Sequence, residues 1–287
     1  MALRTRAIKQ KIASVKNIRK ITKAMEMVAV SKMKRAVARA LMTRAYSVSA
    51  LDLLAALAAE RKITHPLLRA GAGNRTLIVI VASNRGLCGG FNVALAKAVS
   101  RSFVDYGGRE SVDFVTIGKN AERLARKLGA DVRGSFVEFA ETAGVYSVRG
   151  LRRLVLDEFL FGRYTRVVVA YNKYISTVRY EPVIRSLLPI SEIAVQSTFS
   201  EDVYLFEPDE TAVLAEILPG LVATQLYQMN LESVASEQSA RMVAMKNASE
   251  SAGEMISDLA LDWNRARQDG ITQEISEIAA GANALAV

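Results

Sequence analysis

The chain has 287 residues, 51% of them apolar, with a net charge of +9, one cysteine and one histidine. Those figures exclude an internal disulfide and a zinc centre built on thiolates or imidazoles, and no apolar run approaches the ~20 residues of a membrane span. The start, Met1-Ala2-Leu3-Arg4, leads straight into charged helix without an apolar signal core, and the single Cys88 suits a reducing compartment.

From Ile8 the apolar residues fall at Ile12, Val15, Ile18, Ile21, Met25 and Val28, three or four apart. That spacing predicts one helical stripe, which runs on through Met33, Val37 and Leu41 to about Glu60. No proline or glycine interrupts it before Pro66. Alone, a basic amphipathic helix also suits a membrane surface or a nucleic acid. The charge of the chain argues otherwise. Residues 1–44 carry thirteen Lys/Arg and one acid, Glu26, whereas residues 201–287 carry four basic residues and fifteen acids. Opposite ends of opposite sign are expected to lie together.

The middle alternates between strand and helix patterns. Thr76–Ala82 reads as a buried strand, followed by the glycine turn Asn84-Arg-Gly-Leu-Cys-Gly-Gly-Phe91 and a helix to about Tyr106. Val112–Ile117 and 132–139 read as strands, Asn120–Leu128 and Val148–Phe161 as helices, and Thr165–Ala170 as another buried strand. Tyr171 to Phe206 leaves room for a hairpin or an edge strand. This order predicts a compact α/β domain with a largely parallel sheet.

The last third is helical again. Alternate steps of four and three from Ile217 meet Leu221, Thr224, Gln228, Leu231, Ala235, Gln238, Met242, Met245, Ser249, Ala252, Ile256, Leu259, Trp263 and Ala266. That is the 3.5-residue seam of a left-handed coiled coil. A helix of roughly 70 residues would span about 105 Å at 1.5 Å per residue, and a rod of that length needs a partner. The fold class is therefore α/β: an antiparallel coiled coil of long N- and C-terminal helices plus a Rossmann-like α/β domain inserted between them. The expected divisions are 1–62 for the first helix, 75–205 for the inserted domain and 207–287 for the last helix.

No catalytic constellation accompanies this framework. Gly86-Leu87-Cys88-Gly89-Gly90 follows the first strand, where a Rossmann domain holds phosphate, yet lacks the G-x-G-x-x-G spacing and the ribose-binding acid. Tight strand-to-helix packing accounts better for its glycines. Cys88 at a helix start has the position of an activated thiol, but His65 stands before the Pro66 breaker, outside the sheet pattern. Glu274 and Glu277 share a helix face, as metal ligands do and as solvated or partner-facing acids do more often. No catalytic residue, cofactor or metal is expected.

Three blocks go further. Lys11 to Lys32 (KIASVKNIRKITKAMEMVAVSK), Ser83 to Asn92 (SNRGLCGGFN) and Ile271 to Ala284 (ITQEISEIAAGANA), in that order, resemble the N-terminal helix, the first strand-to-helix turn and the C-terminal signature of the gamma subunit family of F-type ATP synthases. In the last block Thr272, Glu274, Glu277, Gly281 and Ala282 keep the family spacing.

The resemblance implies a non-catalytic central stalk, one copy per complex. It would rotate inside three alpha and three beta subunits and couple ion flow in the membrane sector to ATP synthesis or hydrolysis. Its implied partners are those subunits, the epsilon subunit and the membrane c-ring, without bilayer insertion and without nucleic acid. Implied contacts with the catalytic ring are Lys20, Lys23, Met25, Arg35, Gln238, Arg241, Gln268, Thr272 and Glu274. Tyr204, Glu207 and Asp209 are implied contacts on the rotor-ring and epsilon side. The plain start implies a bacterial protein, peripheral on the cytoplasmic face of the inner membrane, and the lack of a second cysteine argues against the thiol control of plant relatives. Two readings from other classes compete: a coiled-coil nucleic-acid organiser, whose duplex affinity would fall steeply with salt, and an oxidoreductase binding a dinucleotide in residues 75–205.

Overall fold

The computed structural model describes residues 2–59, 65–137, 139, 141–190 and 210–285. The chain divides into two compact units, Val30–Ala240 and Met1–Ala29 with Arg241–Val287. Two helices, α1 (Ala2–Ala59) and α5 (Glu210–Leu285), contribute to both. Pro219 lies inside α5 without ending it. Leu218, Leu221 and Val222 around it are buried, so packing outweighs the lost backbone hydrogen bond.

In the unit Val30–Ala240 the sequence alternates as its pattern predicts: β1 (Arg75–Val81), α2 (Phe91–Asp105), β2 (Val112–Ile117), α3 (Lys119–Leu128), β3 (Val132–Phe136), α4 (Arg149–Leu160), β4 (Tyr164–Ser176) and β5 (Arg179–Leu188). The five strands form one sheet in the order β3-β2-β1-β4-β5. The first four are parallel and β5 returns antiparallel beside β4, which supplies the hairpin left open after Tyr171. Apolar runs such as Leu77–Val81 arise because the central strands are covered on both faces. Alternation then sorts their side chains. Leu77, Val79, Val81, Val167 and Val169 pack with α4 and the first turns of α5, through Leu151, Val155, Leu214, Leu218 and Leu226. Ile78, Ile80, Phe114, Val168 and Ala170 pack with α2 and α3, through Leu95, Val99, Ala121 and Ala125.

One turn shows why glycine is required. Gly118, between β2 and α3, has φ +92°, and a Cβ there would lie 2.2 Å from the Ala82 carbonyl oxygen. Only a residue without a side chain lets α3 begin so close to the end of β1.

In the unit Met1–Ala29 with Arg241–Val287, α1 and α5 pair antiparallel. Every seam position of α5 from Met242 to Ala266 is buried or half-buried, as the 3.5-residue stepping predicts. On α1 the expected stripe splits. Ile8, Ile12 and Val15 are half-buried, but Ile18, Ile21 and Val28 are 50%, 60% and 57% exposed, while Thr22 and Ala29 are buried. The four-three register continued from Ile12 and Val15 reaches Arg19, Thr22, Glu26 and Ala29 in place of the larger apolar residues. Small side chains at a helix-helix seam let backbones approach closely. Arg19 is exposed and lies across Gly253 of α5, its guanidinium carbon 3.6 Å from where a Cβ on that glycine would be.

Candidate functional site

The carboxyl ends of β1 and β4 flank the point where the strand order changes direction, where an open α/β sheet places a ligand. There α2 leaves β1 on one face, and the crossover that enters β4 carries α4 on the other. Here the crevice is filled by the chain itself. Ser233, Ser236 and Ser239 of α5 donate to the backbone carbonyls of Val81 (3.3 Å), Asn172 (2.9 Å) and Thr177. Ala240 of the same helix packs on Cys88 and Phe91.

The glycine turn below is tied down by side chains. Asn92 donates to the Ser83 hydroxyl at 2.8 Å and to Cys88 Sγ at 3.3 Å, and Asn120 donates to the Ser83 carbonyl at 2.8 Å. Leu87 is held at φ +62° with 63% of its surface exposed. Cys88 is buried, and His65 instead caps a short 3-10 turn, its Nδ1 accepting from the Leu67 amide at 3.2 Å. The two are engaged in separate structural roles.

Another polar group was missed from the sequence. Asp113 in β2 is fully buried, accepts from Tyr164 at 2.6 Å and Arg133 Nε at 3.0 Å, and is paired with Arg75. Burial pushes its carboxyl up. The hydrogen bonds from Tyr164, Arg75 and Arg133 outweigh that and hold it below the usual aspartate value. The Tyr164 hydroxyl is driven upward by burial and by the same carboxylate. The four groups bond to one another at the amino ends of the strands, only Arg75 Nε being buried without a partner, so this is a clamp within the sheet. The available signal was a lone acid inside the strand Val112-Asp-Phe-Val-Thr-Ile117.

Among the described residues, the surfaces open to a partner include a cationic patch on α1 and an apolar stripe, set among acids, on α5. In the unit Met1–Ala29 with Arg241–Val287, a cavity of about 790 Å³ is lined by Lys16, Arg19, Lys20 and Lys23 of α1 with Lys246 of α5, against two acids, Glu26 and Glu250. Lys23 pairs with Glu26 at 3.0 Å. Met25 is half-buried, Arg241 is buried, and Gln268, Thr272 and Glu274 are exposed. Residues 271–281 are exposed throughout, including Ile271, Ile275 and Ile278 on one helical stripe. In the other unit Arg35 is exposed and Gln238 buried. The structure thus brings Lys20 and Lys23 together on one cavity wall. Tyr204, Glu207 and Asp209 lie outside the described residues. Among the described residues no group of three His, Cys, Asp or Glu is placed to hold a metal, and no helix is long and apolar enough to cross a membrane.

Two long terminal helices and a Rossmann-like domain whose sheet crevice is occupied by its own helix define the class of the fold. A family model described as ATP synthase matches residues 4–285. ATP synthase gamma chains from two strains of Dehalococcoides mccartyi are 38% and 37% identical over 284 residues, which is 98% of this chain and 99% of theirs. The central stalk of the Tetrahymena thermophila mitochondrial ATP synthase superposes with a TM-score of 0.61 at 26% identity, covering 80% of this chain and 99% of that one. A Euglena gracilis mitochondrial ATP synthase chain, at 19% identity, shares the fold with a TM-score of 0.70 over 99% of this chain and 95% of its own. The chain belongs to the ATP synthase gamma chain family. It is a non-catalytic central-stalk subunit of the ATP synthase.

Proposed function

We propose that one copy of this chain turns inside a ring of three alpha and three beta subunits, with the cationic wall of α1 as the surface that acidic, mobile levers of the catalytic subunits press against. The observation that carries this reading is the cavity where Lys16, Arg19, Lys20, Lys23 and Lys246 outnumber Glu26 and Glu250. Such a surface favours an acidic partner and orders its approach. Met25, Arg35, Gln238 and Arg241 complete the proposed contacts with those levers. Gln268, Thr272 and Glu274 are proposed to make hydrogen bonds further along the ring, and Tyr204, Glu207 and Asp209 to face the epsilon subunit and the c-ring. The proposed location is the cytoplasmic face of a bacterial inner membrane, without insertion. Residues 1–62 and 207–287 are proposed as the paired shaft and 75–205 as the foot.

In the assembled complex, Lys20→Ala, Lys23→Ala and Arg35→Ala should each lower the number of ions pumped per ATP hydrolysed in part, and the triple variant should lower it further. Unchanged coupling in the triple variant would remove this face from the contact surface.

A further inference from the structure

The pairing of β1 with β4 ends at Ile80↔Ala170. Beyond that point the carbonyls of Val81 and Asn172 need new donors, because an unpaired buried carbonyl is costly. Ser233 and Ser236 supply them, and Ser239 continues the row onto Thr177, the turn between β4 and β5. All three serines are at most 2% exposed. Spacing of three residues places them along one ridge of the helix, so the row follows β4 toward its hairpin. Asn172 extends the network by donating to the Phe91 carbonyl at 3.2 Å. The apolar contacts of α5 with the sheet are non-directional and would tolerate a small rotation of the helix about its axis. Three directed hydrogen bonds to fixed backbone positions would not.

We propose that Ser233, Ser236 and Ser239 form a rotational register lock between α5 and the α/β sheet, making them positioning residues for the transfer of torque through this subunit. The inference rests on the central-stalk role of the family and adds a residue-level device to it. Contacts with the catalytic ring are not involved, so its failure is distinguishable from failure of the lever surface.

The test uses the complete ATP synthase with the catalytic ring immobilised and stalled by a non-hydrolysable nucleotide. A probe is attached through Val104→Cys, an exposed position on α2, in the Cys88→Ala background. Thermal angular fluctuation of the probe reads the torsional stiffness between the sheet and the held helix. Removing the three directed bonds with Ser233→Ala, Ser236→Ala and Ser239→Ala together should raise the angular variance at least about twofold and lower ions pumped per ATP. Leu226→Ala, a core truncation on the same helix that leaves the hydroxyls intact, should reduce thermal stability while leaving the variance unchanged. If the triple variant does not assemble, Ser236→Ala alone should still widen the distribution. Wild-type variance in the serine variants, or equal widening in Leu226→Ala, would overturn the lock and reduce the serines to ordinary packing.

Discussion

Asp113 is the residue whose environment is most demanding. A buried carboxylate survives because Arg75, Arg133 and Tyr164 all donate to it, and the two arginines keep part of their surface in water. Removing the acid leaves two partly buried cations and the Tyr164 hydroxyl without their acceptor, so Asp113→Ala should cost about 3 kcal/mol, the lower part of the range for breaking a buried pair. Its pH signature has a definite sign. Because the folded carboxyl titrates below its ordinary value of 3.8, its contribution is complete above that value and is lost as the pH falls below it. His65 adds a second window. Burial lowers its pKa from 6.5, so the folded state prefers the neutral ring, and stability declines as the pH falls through 6.5. Denaturant midpoints from pH 8 to pH 3 should show the His65→Gln variant losing the upper step and Asp113→Ala losing the lower one. Superimposable profiles for wild type and both variants would contradict these assignments.

At the scale of elements, the strands and the α5 seam were legible, whereas half of the α1 seam was not. β1 and β4 are buried on both faces, so their apolar runs leave no alternative element. The α5 seam follows a strict four-three step, and three of its four polar members, Thr224, Gln238 and Ser249, are buried, with Gln228 half-buried. On α1 a second apolar stripe, Ile18, Ile21 and Val28, competes with the true register and is chemically the more conspicuous. Only the identity of the partner helix decides that Thr22 and Ala29 turn inward. The serine row and the Asp113 clamp were illegible for a related reason: each depends on backbone carbonyls or arginines from strands distant in sequence. The seam assignment makes a paired prediction for the isolated chain. Met33→Ala, at a position 5% exposed, should cost about 2–3 kcal/mol through lost transfer energy and a cavity. Ile21→Ser, nearly equal in helix propensity, should stay within about 0.5 kcal/mol. Thermal denaturation of the two variants separates them, and a larger loss for Ile21→Ser would restore the stripe read from spacing alone.

For the molecule as a whole, the family is that of a non-catalytic subunit, and Ser233, Ser236, Ser239 and Ala240 occupy the sheet crevice. The subunit acts through which face it presents. Driving one catalytic site from 1:99 to 99:1 between two conformations takes about 5.5 kcal/mol of differential interaction. An exposed ion pair such as one made by Lys20 or Lys23 supplies at most about 1 kcal/mol. The bias must therefore be distributed over many contacts, and it requires that the faces differ as the subunit turns. Rotation is thus the central claim, and immobilising the chain tests it most directly. In the assembled complex, with Cys88→Ala, one cysteine is placed at Lys23 and another in the beta-subunit segment proposed to press against it, and the pair is oxidised. Multisite ATP hydrolysis should collapse as the crosslink forms and return when it is reduced, whereas full steady-state hydrolysis with the crosslink present in every complex would show that the chain is a static strut.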